Sequence, residues 1–169
     1  MTTTILHATP YNIDAVGFYF NDLTDYETKA AAHFDNWGNL VEEYEIQLID
    51  CDDSQLFMAC NINQANLDVW FDHVEFLQDH DKVSLFYLVT NGYDLQSALE
   101  KLNEPCIIEC NLKDAAAELF DEYYADSIPE NLRYYIDYDR FSRDCELGGD
   151  MTEFEYNNIT YTCTNANCL

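Results

Sequence analysis

The sequence predicts an α+β fold, and three observations lead to that prediction. Period-two alternation of apolar and polar residues, typical of half-buried strands, occurs in the first and last parts of the chain. An apolar stripe with helical spacing runs through the middle. Apolar residues make up 48% of the 169 residues, which is enough for packed cores and argues against wholesale disorder. The elements fall into three segments: 1–61, 62–104 and 105–169.

The first segment, residues 1–61, is predicted to be a small antiparallel sheet with a helix. Residues 16–20 alternate in the manner of a strand with one buried face. Residues 26–36 have a helical composition, and Gly38 follows as a stop signal. Residues 43–50 alternate again and predict a second strand.

The solvent-facing side of this second strand is acidic. Glu43, Glu45 and Gln47 share it, with about 6.5–7 Å between successive side chains, which is twice the rise per residue of a strand. Phosphates along one DNA strand have a similar separation. After the strand, residues 51–54 are interpreted as a linker and residues 56–60 as another short strand.

The middle segment, residues 62–104, is predicted to be a bundle of three short helices. Asp81 is a candidate cap for the second helix, which ends at Asn91–Gly92, and Asp94 is a candidate cap for the third. The first helix has an apolar stripe on one side, formed by Leu67, Trp70, Phe71, Val74 and Leu77. Its opposite side is acidic and holds Asp68, Asp72, Glu75 and Asp79.

The last segment, residues 105–169, is predicted to be a small sheet with helices. A strand at 106–110 precedes an amphipathic helix from Leu112 to Tyr123. A hairpin follows near the end, with strands at 151–156 and 159–164, because Asn157–Asn158 tolerates the positive φ of a two-residue turn. Two further helix starts are predicted between these elements: Ser127 before Ile128–Pro129, and Asp137 before a helix that carries Phe141 and Cys145 and ends at Gly148–Gly149.

The charge of the chain is extreme. Its 33 acids and seven bases give a formal charge of −26, and self-repulsion of this size destabilises a compact state. Duplex DNA carries one charge per about 1.7 Å, so this charge corresponds to roughly 44 Å or about 13 base pairs of duplex, and twice that for a dimer. A halophile surface or an acidic chaperone would also be acidic, but neither requires so many aromatic residues. Direct binding to nucleic acid is excluded by like charge.

The cysteine count and the N-terminal sequence predict a cytoplasmic protein with reduced thiols. Seven cysteines cannot all pair within one chain, and Met1–His7 lacks the basic start and apolar run of a signal peptide. No apolar stretch has membrane-spanning length.

The sequence predicts no metal site, no cofactor and no enzymatic activity. His73 and His80 have no third ligand at a recognisable spacing, and Cys106 and Cys110 share a strand face more typical of a core. Residues 50–53 lack the central glycine of an EF-hand loop. The chain also lacks a Gly-x-Ser-x-Gly motif, a P-loop and a dinucleotide fingerprint.

The C-terminal part of the chain resembles a known family. Residues 128–139, Ile-Pro-Glu-Asn-Leu-Arg-Tyr-Tyr-Ile-Asp-Tyr-Asp, followed by Phe141 and Arg143–Asp144, resemble the C-terminal signature of the ArdA antirestriction proteins. The acidic–aromatic run 42–46 and the stretch 8–20 are similar to earlier parts of that family. ArdA proteins are small acidic proteins of plasmids, conjugative transposons and phages that imitate B-form DNA.

The resemblance implies both an architecture and a function. The three segments are expected to form an elongated row that dimerises through the C-terminal unit, with Tyr134, Tyr135 and Tyr138 as candidate interface residues. The expected partner is a type I restriction-modification enzyme, inhibited by occupation of the DNA groove formed by its specificity and modification subunits. The acids expected to imitate phosphates are Glu42, Glu43, Glu45, Asp68, Asp72, Glu75, Asp79, Asp121, Glu122, Asp126, Glu130, Asp137 and Asp139.

A second hypothesis remains open. An acidic adaptor for another basic nucleic-acid-binding protein, such as a nucleoid protein or a different defence nuclease, would have the same composition. A methyltransferase complex that duplex DNA displaces would favour the first hypothesis over this one.

Overall fold

The computed structural model describes residues 4–169 and confirms the α+β fold, with two small three-stranded antiparallel sheets and several helices. Contacts along the chain define two compact units, residues 1–82 (described from Thr4) and residues 83–169, called unit 1 and unit 2 below. The finer division into three units stays a prediction.

The sheet of unit 1 is built around a strand that the sequence analysis did not identify. Strand β1 (Ile5–Pro10) lies between β2 (Phe18–Phe20) and β3 (Tyr44–Asp50), and both pairings are antiparallel. Leu6 and Ala8 of the central strand are completely buried. The predicted strand at 16–20 is confirmed only in part, because it begins at Phe18 and Val16 is 85% exposed.

Helix α1 (Leu23–Ala31) starts and ends earlier than the predicted helix at 26–36. It starts earlier because the Asp22 carboxylate accepts a hydrogen bond from the backbone N–H of Asp25 and caps it. It ends earlier because His33 leaves the helix and its Nδ1 lies 2.8 Å from the hydroxyl of Tyr44 on β3.

The predicted strand at 56–60 is wrong, because this segment is helix α2 (Ser54–Ala59). Its first helical bond runs from the N–H of Phe57 to the carbonyl oxygen of Asp53, at 2.9 Å. Leu56, Phe57 and Cys60 are buried while Met58 is exposed, which is the i, i+1, i+4 spacing of a helix rather than the alternation of a strand.

The apolar stripe of the middle segment is confirmed from Leu67 to Val74, but the helix that carries it is not regular and ends before Leu77 and Asp79. Helix α3 (Leu67–Val69) continues as a π-helix (Trp70–Val74), in which the N–H of Glu75 donates to the carbonyl oxygen of Trp70 at 3.0 Å. Leu67, Trp70, Phe71 and Val74 are buried as predicted. Trp70 packs edge-on against Phe57, which joins this element to α2.

Cys60 gives unit 1 an expected dependence on pH. Burial raises the pKa of its thiol from 9.0 to about 12. The folded state therefore binds this proton more tightly than the unfolded state does. The stabilisation that results from this difference is complete below pH 9 and is lost as the pH rises towards 12. We expect the free energy of unfolding in urea to fall by up to about 2 kcal/mol between pH 9 and 10.5, and Cys60→Ala to remove that part of the slope.

The control for this measurement is Cys168→Ala, because Cys168 is an exposed free thiol. Its pH slope should equal that of the wild-type chain. Equal slopes for the wild type and Cys60→Ala would contradict the assignment.

Unit 2 contains the second sheet, with strands in the order β4 (Ile107–Ile108), β6 (Ile159–Cys163) and β5 (Thr152–Tyr156). The predicted hairpin is confirmed, and Asn157 and Asn158 at its turn have φ values of +50° and +62°. The helices from residue 79 onward are α4 (Asp79–Thr90), α5 (Leu95–Glu100), α6 (Leu112–Tyr124), α7 (Glu130–Arg133) and α8 (Tyr138–Gly148).

Two of the four predicted helix caps in this part of the chain are confirmed. The carboxylates of Asp94 and Asp137 each accept a backbone N–H bond of 3.0 Å, from Ser97 and Arg140. Asp81 instead lies inside α4, which already begins at Asp79. Ser127 ends a short 3₁₀ turn, Ala125–Ser127, and Pro129 occupies the N-cap of α7 in its place.

Helix α8 packs against α6 and closes a small apolar core. Gly149 ends α8 in the left-handed conformation, as predicted. The core residues are Leu112, Ala116, Cys145 and Met151, with Leu119 and Phe141 packed against them. Among residues 4–169, no helix combines the length and the apolar character needed to cross a bilayer.

Candidate acidic binding surface

The outer face of β3 presents the carboxylates that its alternation predicts. Tyr44 points into the core of unit 1, while Glu43, Glu45 and Gln47 are exposed. The amide of Gln47 donates to the carboxylate of Glu45 at 3.2 Å, which orders the row without neutralising it. Glu42 precedes the strand and is also exposed.

The acids along α3, the π-helix and the start of α4 are mostly exposed. Asp68, Asp72 and Asp79 face solvent. Glu75 is an exception, because it is half-buried and accepts a 2.6 Å hydrogen bond from the hydroxyl of buried Thr4. Glu75 is therefore partly committed to the structure of unit 1.

A pocket of about 610 Å³ opens between the start of α1 and the π-helix, within unit 1. Phe71 and the exposed ring of Phe76 form part of its wall. Four carboxylates line it as well, from Asp22, Asp25, Asp72 and Glu75. A wall of carboxylates and aromatic rings suits the cationic end of a lysine or arginine side chain. Of these four acids, only Asp72 and Glu75 are predicted from the sequence to belong to the acidic surface, because the earlier start of α1, which brings Asp22 and Asp25 here, was not predicted.

The predicted acids of unit 2 divide into two groups, although all six are exposed. Three have partners within the chain: Asp121 accepts a 2.6 Å bond from the Tyr138 hydroxyl, Asp137 caps α8, and Asp139 pairs with Lys113 at 2.6 Å. The other three acids, Glu122, Asp126 and Glu130, make no side-chain hydrogen bond or ion pair within residues 4–169.

The three candidate interface tyrosines also differ from one another. Tyr134 and Tyr135 are 90% and 83% exposed, so they contribute little to the core of unit 2. Tyr138 is half-buried and packs edge-on against Phe120. Its hydrogen bond to the Asp121 carboxylate raises the pKa of the Tyr138 hydroxyl.

Each of the four lysines of the chain is paired with a carboxylate of the same unit. Lys29 pairs with Asp25, Lys82 with Asp53, Lys101 with Glu104 and Lys113 with Asp139, at distances of 2.6–2.7 Å. The positive charge of the lysines is therefore neutralised locally, and the surplus of carboxylates determines the field of each unit. Residues 1–82 hold 16 acids and two lysines, and residues 83–169 hold 17 acids and five bases, giving formal charges of −14 and −12.

The described residues contain no grouping suited to metal binding. Within residues 4–169, no three His, Cys, Asp or Glu side chains converge in a way that would hold an ion. His73 is exposed, and His80 lies 3.1 Å from Asp81 on the surface. The candidate surface is thus a set of distributed carboxylates.

Asp137 allows its structural role to be separated from its charge. Asp137→Ala removes the cap of α8 and should lower the free energy of unfolding by about 1 kcal/mol. Asp137→Asn should leave stability unchanged to within a few tenths of a kcal/mol, because asparagine caps helices as well as aspartate does. Urea unfolding followed by circular dichroism measures both values, and equal destabilisation by the two substitutions would show that the charge matters more than the hydrogen bond.

Comparison with known proteins shows a family to which the chain is similar. The family model described as antirestriction protein (ArdA) matches residues 21–159, which is most of the chain. Neither the curated proteins nor the solved structures contain a match to the chain.

Proposed function

The chain belongs to the ArdA family of antirestriction proteins, and from this premise we propose that it inhibits type I restriction-modification enzymes as a mimic of B-form DNA. Family membership implies antirestriction and an interaction with restriction-modification enzymes in general. Imitation of DNA and the choice of type I enzymes go beyond what family membership implies. No covalent bond is formed or broken in it.

One observation carries the proposal: the negative charge of the chain is large, exposed and not cancelled by its own bases. Of the thirteen acids selected from the sequence, all except Glu75 are exposed. Every lysine side chain is already paired, so no lysine competes with an approaching basic protein for the exposed carboxylates. A field of this kind steers a positively charged partner and repels nucleic acid.

In this mechanism the carboxylates replace the phosphates of a duplex. The DNA groove of the methyltransferase core, formed by specificity and modification subunits, must hold phosphates with lysine and arginine side chains. The carboxylates of β3, of the π-helix region and of the segment 121–139 bind those same side chains and thereby exclude DNA. Because the charge is distributed, no single acid is expected to be essential.

The acidic pocket of unit 1 is further support for the proposal that the partner is rich in basic side chains. Its carboxylates and the exposed ring of Phe76 offer both an ionic and a cation–π contact to one lysine or arginine.

We also propose that the chain forms a homodimer through the face that carries Tyr134, Tyr135 and Tyr138, and that its segments are arranged in an elongated row. The exposure of Tyr134 and Tyr135 supports the first part, because large aromatic residues are enriched at interfaces. Sedimentation of wild type and of the Tyr134→Ala/Tyr135→Ala double variant tests the dimer. Small-angle scattering tests the row, since a round particle would contradict it.

The function itself is tested with a purified type I enzyme. The chain should inhibit cleavage, bind the isolated methyltransferase core, and be displaced by excess unmodified duplex DNA. Binding should weaken as salt concentration rises, with a smaller slope than DNA itself has, since a protein anion lacks the condensed counterions of a duplex. Binding that is insensitive to salt would contradict the charge mechanism.

The same experiment distinguishes the competing hypothesis of an acidic adaptor. A chain that leaves type I enzymes active but binds another basic nucleic-acid-binding protein would overturn the proposed function.

A further inference from the structure

Two loops of unit 1 are hydrogen-bonded to each other. They expose large apolar side chains that neither pack in the core nor belong to the acidic surface. The loop between β1 and β2 includes Asn12 and Asp14, and the loop after α1 includes Asp35 and Trp37. The Asn12 amide donates to the Asp35 carboxylate at 3.1 Å, and the indole N–H of Trp37 donates to the Asp14 carboxylate at 3.3 Å. A backbone bond of 3.2 Å, from the N–H of Asn36 to the carbonyl of Asp14, joins the same two loops.

These loops present large apolar side chains to solvent. Ile13 is 97% exposed, Val16 is 85% exposed and Trp37 is 78% exposed. We call these three residues the apolar knuckle. Tyr11 and Phe34, on the same loops, are also more than half exposed. Exposed apolar groups brought together in this way are typical of interaction sites, and tryptophan is strongly enriched among the residues that dominate binding energy.

Hydrogen bonds order the backbone of the loop that carries Trp37 and join it to the loop that carries Ile13 and Val16. The Asp35 carboxylate accepts from the backbone N–H groups of Trp37 and Asn39, both at 2.8 Å, as well as from Asn12. Hydrogen bonds from Asn39 are the largest cause of the lowered pKa of Asp35. Gly38 has a φ of +84°, which allows the tight turn between Trp37 and Asn39. Because hydrogen bonds already order the backbone of this loop, binding costs less backbone entropy, and burial of its side chains yields more affinity.

The charge around the knuckle decides what can cover it. Unit 1 has a formal charge of −14, and Asp14 and Asp35 lie within the knuckle loops themselves. Two copies that docked through this face would bring their Asp14 and Asp35 carboxylates together, whereas a basic protein would bring opposite charge to them. The partner favoured by the structure is therefore a basic protein surface that contains an apolar cleft.

We propose that the apolar knuckle inserts into an apolar cleft inside the basic DNA groove of the inhibited enzyme, an inference that rests on the proposed function. An enzyme that methylates a base must receive that base out of the helix, between aromatic and apolar side chains. Carboxylates can replace phosphates in such a groove, but they cannot fill a cleft built for a base. The indole of Trp37 is an aromatic group of a size comparable to that of a base, and it is exposed to solvent.

Affinity and its salt dependence separate this role from general charge attraction. We expect Trp37→Ser to weaken binding to the purified methyltransferase core by about tenfold or more, with the salt slope unchanged, since no charge is removed. Trp37→Phe keeps an aromatic ring and should retain most of the affinity. The matched control is Met58→Ser, which changes a similarly exposed apolar side chain on α2 and should bind within about twofold of wild type.

The two tryptophans provide a direct readout of burial, because Trp37 is exposed and Trp70 is completely buried. A chain labelled with 5-hydroxytryptophan can be excited without exciting the unlabelled enzyme. In the free chain acrylamide should quench the Trp37 signal, identified with Trp37→Phe, and leave the Trp70 signal largely intact. In the complex the Trp37 signal should become protected.

Each outcome bears on the proposal. Binding of Trp37→Ser within twofold of wild type, or a Trp37 signal that stays quenchable in the complex, would overturn it while leaving the proposed function in place. Self-association of the free chain that Trp37→Ser abolishes would overturn it in favour of a second copy. Failure of the wild-type chain to bind the enzyme would remove the proposed function and this inference together.

Discussion

The fourfold variant Glu43→Gln, Glu45→Gln, Asp68→Asn, Asp72→Asn is expected to bind a type I methyltransferase core about 30-fold less tightly than the wild-type chain, or weaker still. All four carboxylates are exposed and belong to unit 1. Each exposed ion pair contributes about 0.5–1 kcal/mol, so four together give roughly 2–4 kcal/mol. Titration of inhibition at fixed salt measures the loss, and the variant should also show a smaller salt slope.

The single substitutions are the controls for this experiment. Each should weaken inhibition by no more than about fivefold, because one surface pair is worth at most about 1 kcal/mol. The amides match the carboxylates in shape, and removing like charges relieves self-repulsion, so the fourfold variant should be no less stable than wild type. Complete loss of inhibition in any one single variant would contradict a distributed surface and point to a unique role for that acid.

Local signals in the sequence were sufficient for the elements of unit 2 that depend on few residues. The hairpin turn needs two residues that accept positive φ, and Asn157–Asn158 supplies them. Helix α8 needs a cap and a stop, and Asp137 and Gly149 provide both. Such elements are predictable because their determinants lie within a few positions of one another in the chain.

Two of the errors, at β1 and at the end of α1, fall where distant residues decide the structure. Strand β1 has only Leu6 and Ala8 as buried residues, and its place in the sheet depends on pairing with β2 and β3 rather than on its own pattern. Helix α1 ends early because His33 meets Tyr44 on β3. Because the helix was predicted to continue to residue 36, the exposed loop that follows α1 and carries Trp37 was not predicted.

The sequence predicted which acids face solvent, but not which of them have partners within the chain. Carboxylates at polar positions of strands and helices are expected to face solvent, and twelve of the thirteen selected acids do so. Their partners depend on tertiary neighbours: Thr4 for Glu75 and Tyr138 for Asp121 are 71 and 17 residues away. Sequence spacing alone therefore could not separate acids that are free to meet a partner from acids already engaged within the chain.

Trp70→Ala is expected to produce the largest loss of stability in unit 1, about 3–5 kcal/mol. Trp70 is completely buried and packs edge-on against Phe57 with ring centroids 4.8 Å apart, so alanine leaves a large cavity between α2 and the π-helix. Urea unfolding measures the loss. Because the π-helix carries Asp72, partial unfolding of this region should also weaken binding to the enzyme.

Trp70→Phe is the matched substitution, and it should cost much less than Trp70→Ala. The indole N–H of Trp70 is buried and makes no hydrogen bond within the described residues. Such an orphaned donor costs about 1–3 kcal/mol in the wild-type chain, and phenylalanine removes it while keeping most of the aromatic packing. The relief therefore offsets part of the lost volume. Equal destabilisation by the two substitutions would contradict this account and would mean that the indole N–H has a partner that stabilises the π-helix.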